Sequence, residues 1–129
     1  MAASTGIPTV GKALLANRII GSGTEPKYIA VGTGTATVVA GDTALATEVD
    51  SRVSGSSSRT TTTSTNDTYT VTGTFTCGAT ARVIAECGLF DASTSGTLFL
   101  RSVLTNSASL VQGDQIAFTF NVQVTNTIA

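Results

Sequence analysis

Residues 68–77 read Thr-Tyr-Thr-Val-Thr-Gly-Thr-Phe-Thr-Cys. Threonine holds every even position and most odd positions are large and apolar, a period of two that belongs to a strand buried on one face. Tyr69, Val71, Phe75 and Cys77 are expected to point into a core, while Thr68, Thr70, Thr72, Thr74 and Thr76 meet water or a neighbouring subunit. The other strands are placed around this one.

Gly78-Ala79-Thr80 reads as a three-residue connection to a second strand over 81–91, whose odd face carries Val83, Ala85, Cys87 and Leu89. If Cys77 faces Ala81, then Phe75 lies opposite Val83, Gly73 opposite Ala85 and Val71 opposite Cys87, so that apolar meets apolar. The same register places Cys87 six residues along the ladder from Cys77, roughly 20 Å away. A disulfide spans only about 6 Å. Two buried free thiols are therefore expected, with an intersubunit bridge as the alternative. Glu86 falls on the even, outward face beside Arg82 and Ile84, which suggests a surface charge or an ion pair with Arg101 on the next strand rather than catalysis.

The remaining segments follow the same logic. Residues 1–8 are small or polar and end in Pro8, consistent with an extended arm or a free tail. Over 9–20 a helix capped by Thr9 and stopped by Gly21 competes with a strand ending in Arg18-Ile19-Ile20. Residues 27–32 form a central strand that runs into a turn or bulge at Thr33-Gly34-Thr35-Ala36. A phosphate cradle at Gly32-Thr33-Gly34-Thr35 is set aside, because the third glycine and a following Gly-Lys-Ser/Thr are both missing. One or two helical turns capped by Asp42 are expected over 42–49. The acids Asp42, Glu48 and Asp50 lack the alternate spacing of a calcium loop.

Residues 52–66 are nearly all serine and threonine, with Arg52 and Arg59 as the only charges. Such a stretch suits an exposed edge strand that can pair with another chain, or a surface loop, with Asn66-Asp67 as the turn that ends it. Asp91-Ala92-Ser93-Thr94-Ser95-Gly96 is a hairpin loop, 97–104 a central strand, and 106–114 a loop. In the last strand Ile116, Phe118, Phe120, Val122 and Val124 face inward, and 125–129 form a tail. Short strands joined by polar turns, with no convincing helix between them, predict an all-β fold, an antiparallel β-sandwich or jelly roll with an N-terminal arm or short helix. The division expected is 1–26 for the arm and 27–129 for the sandwich.

Composition narrows the function. With 25 threonines and 13 serines against only 12% charged residues, the chain is made polar by hydroxyls, yet its 41% apolar content is that of a folded protein. A net charge of −1 argues against nucleic acid. The absence of histidine removes most catalytic triads and the common zinc sites, so no enzyme, cofactor or metal site is expected. No signal peptide or membrane span is read, and a soluble product made in a cytoplasm is expected. Glycan binding would call for exposed aromatic platforms, and the chain has no tryptophan.

The succession Tyr28-Ile29-Ala30-Val31-Gly32-Thr33-Gly34-Thr35, Asp42-Thr43-Ala44-Leu45, Asn66-Asp67-Thr68-Tyr69, Glu86-Cys87-Gly88-Leu89-Phe90-Asp91, Gly96-Thr97-Leu98-Phe99-Leu100-Arg101 and Gly113-Asp114 resembles that of small virion structural proteins of tailed bacteriophages. The order and spacing of these strand ends and turns carry the likeness, over residues 9–124. It is similar to capsid decoration or cement proteins, with related domains in tail fibres. A product of 129 residues is short for a fibrous shaft, which favours decoration. The resemblance implies a homotrimer at local threefold positions, bound to the major capsid protein. A tail, neck or fibre adaptor and a lectin-like receptor binder are the alternatives. The expected assembly contacts are Lys12, Leu14, Leu15 and Arg18 in the arm, and Arg52 and Arg59 on the edge.

Overall fold

The computed structural model describes residues 2–126; Met1 and residues 127–129 of the expected tail lie outside the described residues. In chain order the elements are β1 (Ala2–Gly6), α1 (Thr9–Ile19), β2 (Tyr28–Gly32), β3 (Glu48–Ser54), β4 (Ser56–Thr60), β5 (Thr68–Thr76), β6 (Arg82–Phe90), β7 (Leu98–Leu110) and β8 (Gln115–Gln123). They form a five-stranded antiparallel sheet in the order β1-β7-β6-β2-β3, and a three-stranded one in the order β4-β5-β8. The fold is all-β and sandwich-like with one short helix, as expected. Between the sheets lies a core that includes Ile29, Val31, Val71, Phe75, Ile84, Leu89, Leu100 and Phe120.

Strand β5 is the centre of the small sheet, and its partners differ from those expected. It pairs with β8, setting Tyr69 opposite Val122, Val71 opposite Phe120 and Phe75 opposite Ile116. The connection after Cys77 is a crossing between sheets rather than a hairpin, so β5 and β6 never pair. The reason lies in β6: residues 84–90 are buried without a break, so this strand is covered on both sides and sits between β7 and β2. A strand with one polar face, such as β5, fits the smaller sheet. Both cysteines are free and buried, Cys77 in the small sheet's extension and Cys87 in the large sheet. Burial, helped by the charge of Glu86, pushes the Cys87 thiol up to about 12.

Other boundaries move for identifiable reasons. The residues read as a free or extended arm add β1 to the edge of the large sheet, where Thr5 pairs with Ser102. Residues 9–19 settle as helix, with Pro8 rather than Thr9 in the capping position. The stop is the one expected. Gly21 takes φ +80°, Ser22 N–H donates to Asn17 O and Gly21 N–H to Arg18 O. Strand β7 runs on to Leu110, through residues 106–110 read as loop, because Ala108 and Leu110 continue its pairing with Ile84 and Arg82. A register shift between Ile84 and Glu86 exchanges faces there, so Ile84 is buried and Val83 is exposed. Val124, expected inside, is exposed.

No helical turn forms over 42–49. Residues 33–47 are instead a long loop folded over the large sheet, with Leu45 buried against Ala30, Phe90 and Leu98. The loop is tied down from below. Glu86, fully buried, accepts hydrogen bonds from the backbone N–H groups of Gly34 (3.2 Å), Ala46 (3.0 Å) and Thr47 (2.7 Å). Arg101, 2% exposed, pairs with Glu86 at 2.8 Å and donates to Ala36 O (2.8 Å) and Asp42 Oδ2 (3.0 Å). The pairing of Glu86 with Arg101 is as expected; its exposure is not. Side chains at Gly32 and Gly34 would collide with the Glu86 carboxylate, so these glycines make room for an anion of the chain's own.

Burial pushes the Glu86 carboxyl upward, but the Thr47 and Ala46 amides and Arg101 outweigh it and hold it below its ordinary value. A lowered pKa stabilises the fold above the unfolded-state value near 4.3 and loses that contribution as pH falls through the folded one. Acid titration followed by circular dichroism is expected to show stability declining below about pH 4. Glu86→Ala, which strands a buried guanidinium, should cost about 3–5 kcal/mol in urea unfolding, while Glu86→Met with Arg101→Met should cost less than the single change.

Candidate assembly groove and edge strand

The sequence of β4, Ser-Ser-Ser-Arg-Thr, has no apolar side chain to bury, and every one of its residues is exposed. It can only be an edge, and it is one: β5 covers one side and, among the described residues, no strand covers the other. Ser57 and Arg59 sit opposite Val71 and Tyr69, so they share the side that faces the core layer. Beside them opens a groove of about 460 Å³, with Leu14, Tyr69, Phe99, Val122 and Val124 as its apolar lining. Arg18, Glu25 and Arg59 lie around it.

Hydrogen bonds set one wall. The Tyr69 hydroxyl donates to Pro26 O (3.0 Å) and Glu25 Oε2 (3.3 Å), and Ser57 Oγ donates to the same carboxylate oxygen at 2.6 Å. Burial, reinforced by the Glu25 charge, raises the Tyr69 pKa well above its ordinary value. The hydroxyl therefore stays protonated as a donor. Arg18 donates to Gly23 O at 2.7 Å. The Arg59 side chain has no hydrogen bond or ion pair among the described residues.

The sequence-predicted contacts divide sharply. The groove gathers Leu14, Leu15, Arg18 and Arg59, although Leu14 is buried and belongs to the core. Lys12 is exposed on α1 and does not line it. Arg52, also expected as a contact, lies outside the groove and is engaged within the fold. Its side chain is 7% exposed, pairs with Glu48 at 2.8 Å, donates to Ala92 O (2.8 Å) and Ser95 O (2.6 Å), and lies over the Phe90 ring at 3.6 Å. Glu25, Pro26, Tyr69, Phe99 and Val122 also line the groove and were not anticipated as site residues. Alternation showed which of the strand residues point inward, but not the gap between α1 and the small sheet.

The outer face of the small sheet is a layer of hydroxyls. Thr60 and Thr70 hydroxyls meet at 2.6 Å, Thr70 donates to Asn121 at 2.8 Å, and Thr62 and Thr68 meet at 2.6 Å. Thr68 and Thr70 are consequently buried, contrary to their expected exposure, whereas Thr72, Thr74 and Thr76 are exposed as expected. The expected turn at Asn66-Asp67 is present. Asn66 takes φ 58°, and Asp67 accepts from Thr62, Thr63 and Ser64 N–H groups, which hold its carboxyl far below the usual range. A second, polar recess of about 450 Å³ lies between 48–52 and 93–95. Its acids are already paired, Glu48 with Arg52 and Asp50 with Arg82. No group of three or more potential metal ligands occurs among the described residues.

A family model described as Podophage GP4 fiber I protein gp80 matches residues 3–125. The chain belongs to this podophage fibre family. As a member it is a bacteriophage virion structural protein, which is the coarser part of the likeness read from its sequence. Nothing in the match points to the capsid head in particular, and because it spans nearly the entire chain, shortness is no argument against a fibre role. No curated protein and no solved structure matches the chain. No helix among the described residues is long and apolar enough to cross a membrane.

Arg52→Ala is expected to lower stability by about 1–3 kcal/mol in chemical unfolding, because two backbone carbonyls lose their donor and Phe90 loses its cation. Lys12→Ala and Arg59→Ala should stay within about 0.5 kcal/mol of the parent chain.

Proposed function

We propose that this podophage fibre-family protein is a non-enzymatic subunit of a virion fibre, a rigid β-sandwich whose working parts are surfaces for joining neighbouring chains. The observation that carries this reading is the family match over residues 3–125. The groove and the edge strand support it, being the places where apolar lining and unpaired backbone are offered together. A module of this kind acts mechanically: surface that is buried only in the assembled fibre stabilises the assembled state by mass action. Its partners on this reading are other copies of itself and adjoining fibre proteins, in place of the major capsid protein implied by the decoration likeness.

Localisation in intact virions tests the proposal. Gold-labelled antibody or a virion density map is expected to place the chain on the fibres, and particles lacking it should adsorb to host cells poorly while their heads remain stable. Label over the capsid shell, with heads that weaken when the protein is removed, would establish decoration and overturn the fibre reading. Saturable binding in a glycan panel would instead mark the groove as a receptor site.

A further inference from the structure

We propose that the groove between α1 and the small sheet is a binding site for an acyl-chain carboxylate, with the hydrocarbon laid against its apolar lining and the head group held by Arg18 and Arg59. A ligand of this kind goes beyond the joining of chains, and its capture by the separate protein does not depend on the fibre reading. The groove's volume of about 460 Å³ is that of a small-molecule site. Its floor is hydrocarbon and aromatic: Leu14 is buried, and the rings of Tyr69 and Phe99 meet edge to face with centroids 6.5 Å apart. From there the apolar surface runs outward. Leu15 lines the groove, and Ile19 follows it one helical turn along the same side of α1, both exposed. An elongated hydrocarbon matches such a track better than a compact ring does.

The chemistry of the walls selects among occupants. Sugars and peptide backbones bring many neutral donors and acceptors, each of which costs free energy if it leaves water without a partner. The groove has little for them, because its inner polar groups are committed to one another. The Tyr69 hydroxyl donates to Pro26 O and Glu25 Oε2, and Ser57 Oγ donates to the same carboxylate oxygen. What remains is arginine. Arg59 stands opposite Tyr69 in the ladder, so both side chains leave the sheet on the groove side. The Arg59 guanidinium makes no hydrogen bond or ion pair among the described residues. Arg18 uses one nitrogen on Gly23 O at 2.7 Å and lies near enough for its charge to act on the Tyr69 hydroxyl. Among the described residues Glu25 is the one carboxylate lining the groove, so two guanidiniums leave one positive charge in excess. A single anionic head on an apolar body completes that balance.

Isothermal titration calorimetry of the purified full chain with dodecanoate, below its micelle concentration and at a pH where the carboxylate is ionised, tests the site. One saturable site per chain is expected. Octanoate should bind about tenfold or more weakly, since each buried methylene changes affinity by about fourfold. Acetate should not bind. Dodecyltrimethylammonium, with the same tail and the opposite charge, should also bind about tenfold or more weakly. Arg59→Ala should weaken dodecanoate by about tenfold. Arg59→Glu should weaken it further and narrow the preference over the cationic amphiphile, with unchanged circular dichroism and Tm showing that the fold is intact. NMR shifts on binding should centre on Tyr69, Phe99 and Val122. The proposal is overturned by the absence of saturable dodecanoate binding, by equal affinity for the cationic amphiphile, by indifference to Arg59→Glu, or by shifts centred away from the groove. An acidic peptide or a neutral glycan that fills the groove where dodecanoate does not would overturn it as well.

Discussion

Everything on the outer side of the large sheet depends on one buried ion pair. Glu86 and Arg101 stand on adjacent strands with almost no exposure, and between them they satisfy three backbone N–H groups, one carbonyl and the Asp42 carboxylate of the 33–47 loop. A loop of that length has no ladder of its own, and its backbone groups need partners wherever they leave water. The two charges provide them. Leu45 then closes over Ala30, Phe90 and Leu98, so an electrostatic fixture and an apolar contact hold the same flap. A buried pair is weak evidence for net stability but strong evidence for a specified geometry when each partner is fully hydrogen-bonded. Here no buried side-chain nitrogen or oxygen among the described residues is left without a partner.

The alternating strands were legible because their period is local. Val71 and Phe75 in β5, and Phe118 and Phe120 in β8, point inward as their spacing dictates. Which strand lies beside which was not legible, because pairing is a long-range choice. The short link after Cys77 suggested a hairpin, yet β6 carries apolar residues on both faces and needs cover on both. That property was visible in its sequence and outweighs the length of a connection. The hairpin over 91–96, by contrast, was correctly read, since positive φ at Ser95 and Gly96 is the sort of demand that turn residues announce.

The site divides along the same line. The serine-rich stretch was readable as an edge because it has nothing to bury, and α1 resolved as a helix once tertiary packing could decide: a side chain at Gly11 would strike the Phe99 carbonyl, so the helix lies directly on β7. The groove itself is a property of the space between α1, the 25–26 turn and the small sheet, and no linear pattern records it. Arg52 shows how much a linear reading leaves out. A lone arginine in a polar run looks like a surface contact, but two carbonyls, a carboxylate and an aromatic ring had claimed it from segments distant in sequence.

The hydroxyl layer on the small sheet has an environmental consequence. Its polarity comes from threonine, serine, asparagine and glutamine, many of them tied to one another, and hydroxyl hydration is not screened by dissolved ions as charge is. A particle that carries such a face outward presents water with the same surface in a dilute pond as in brine.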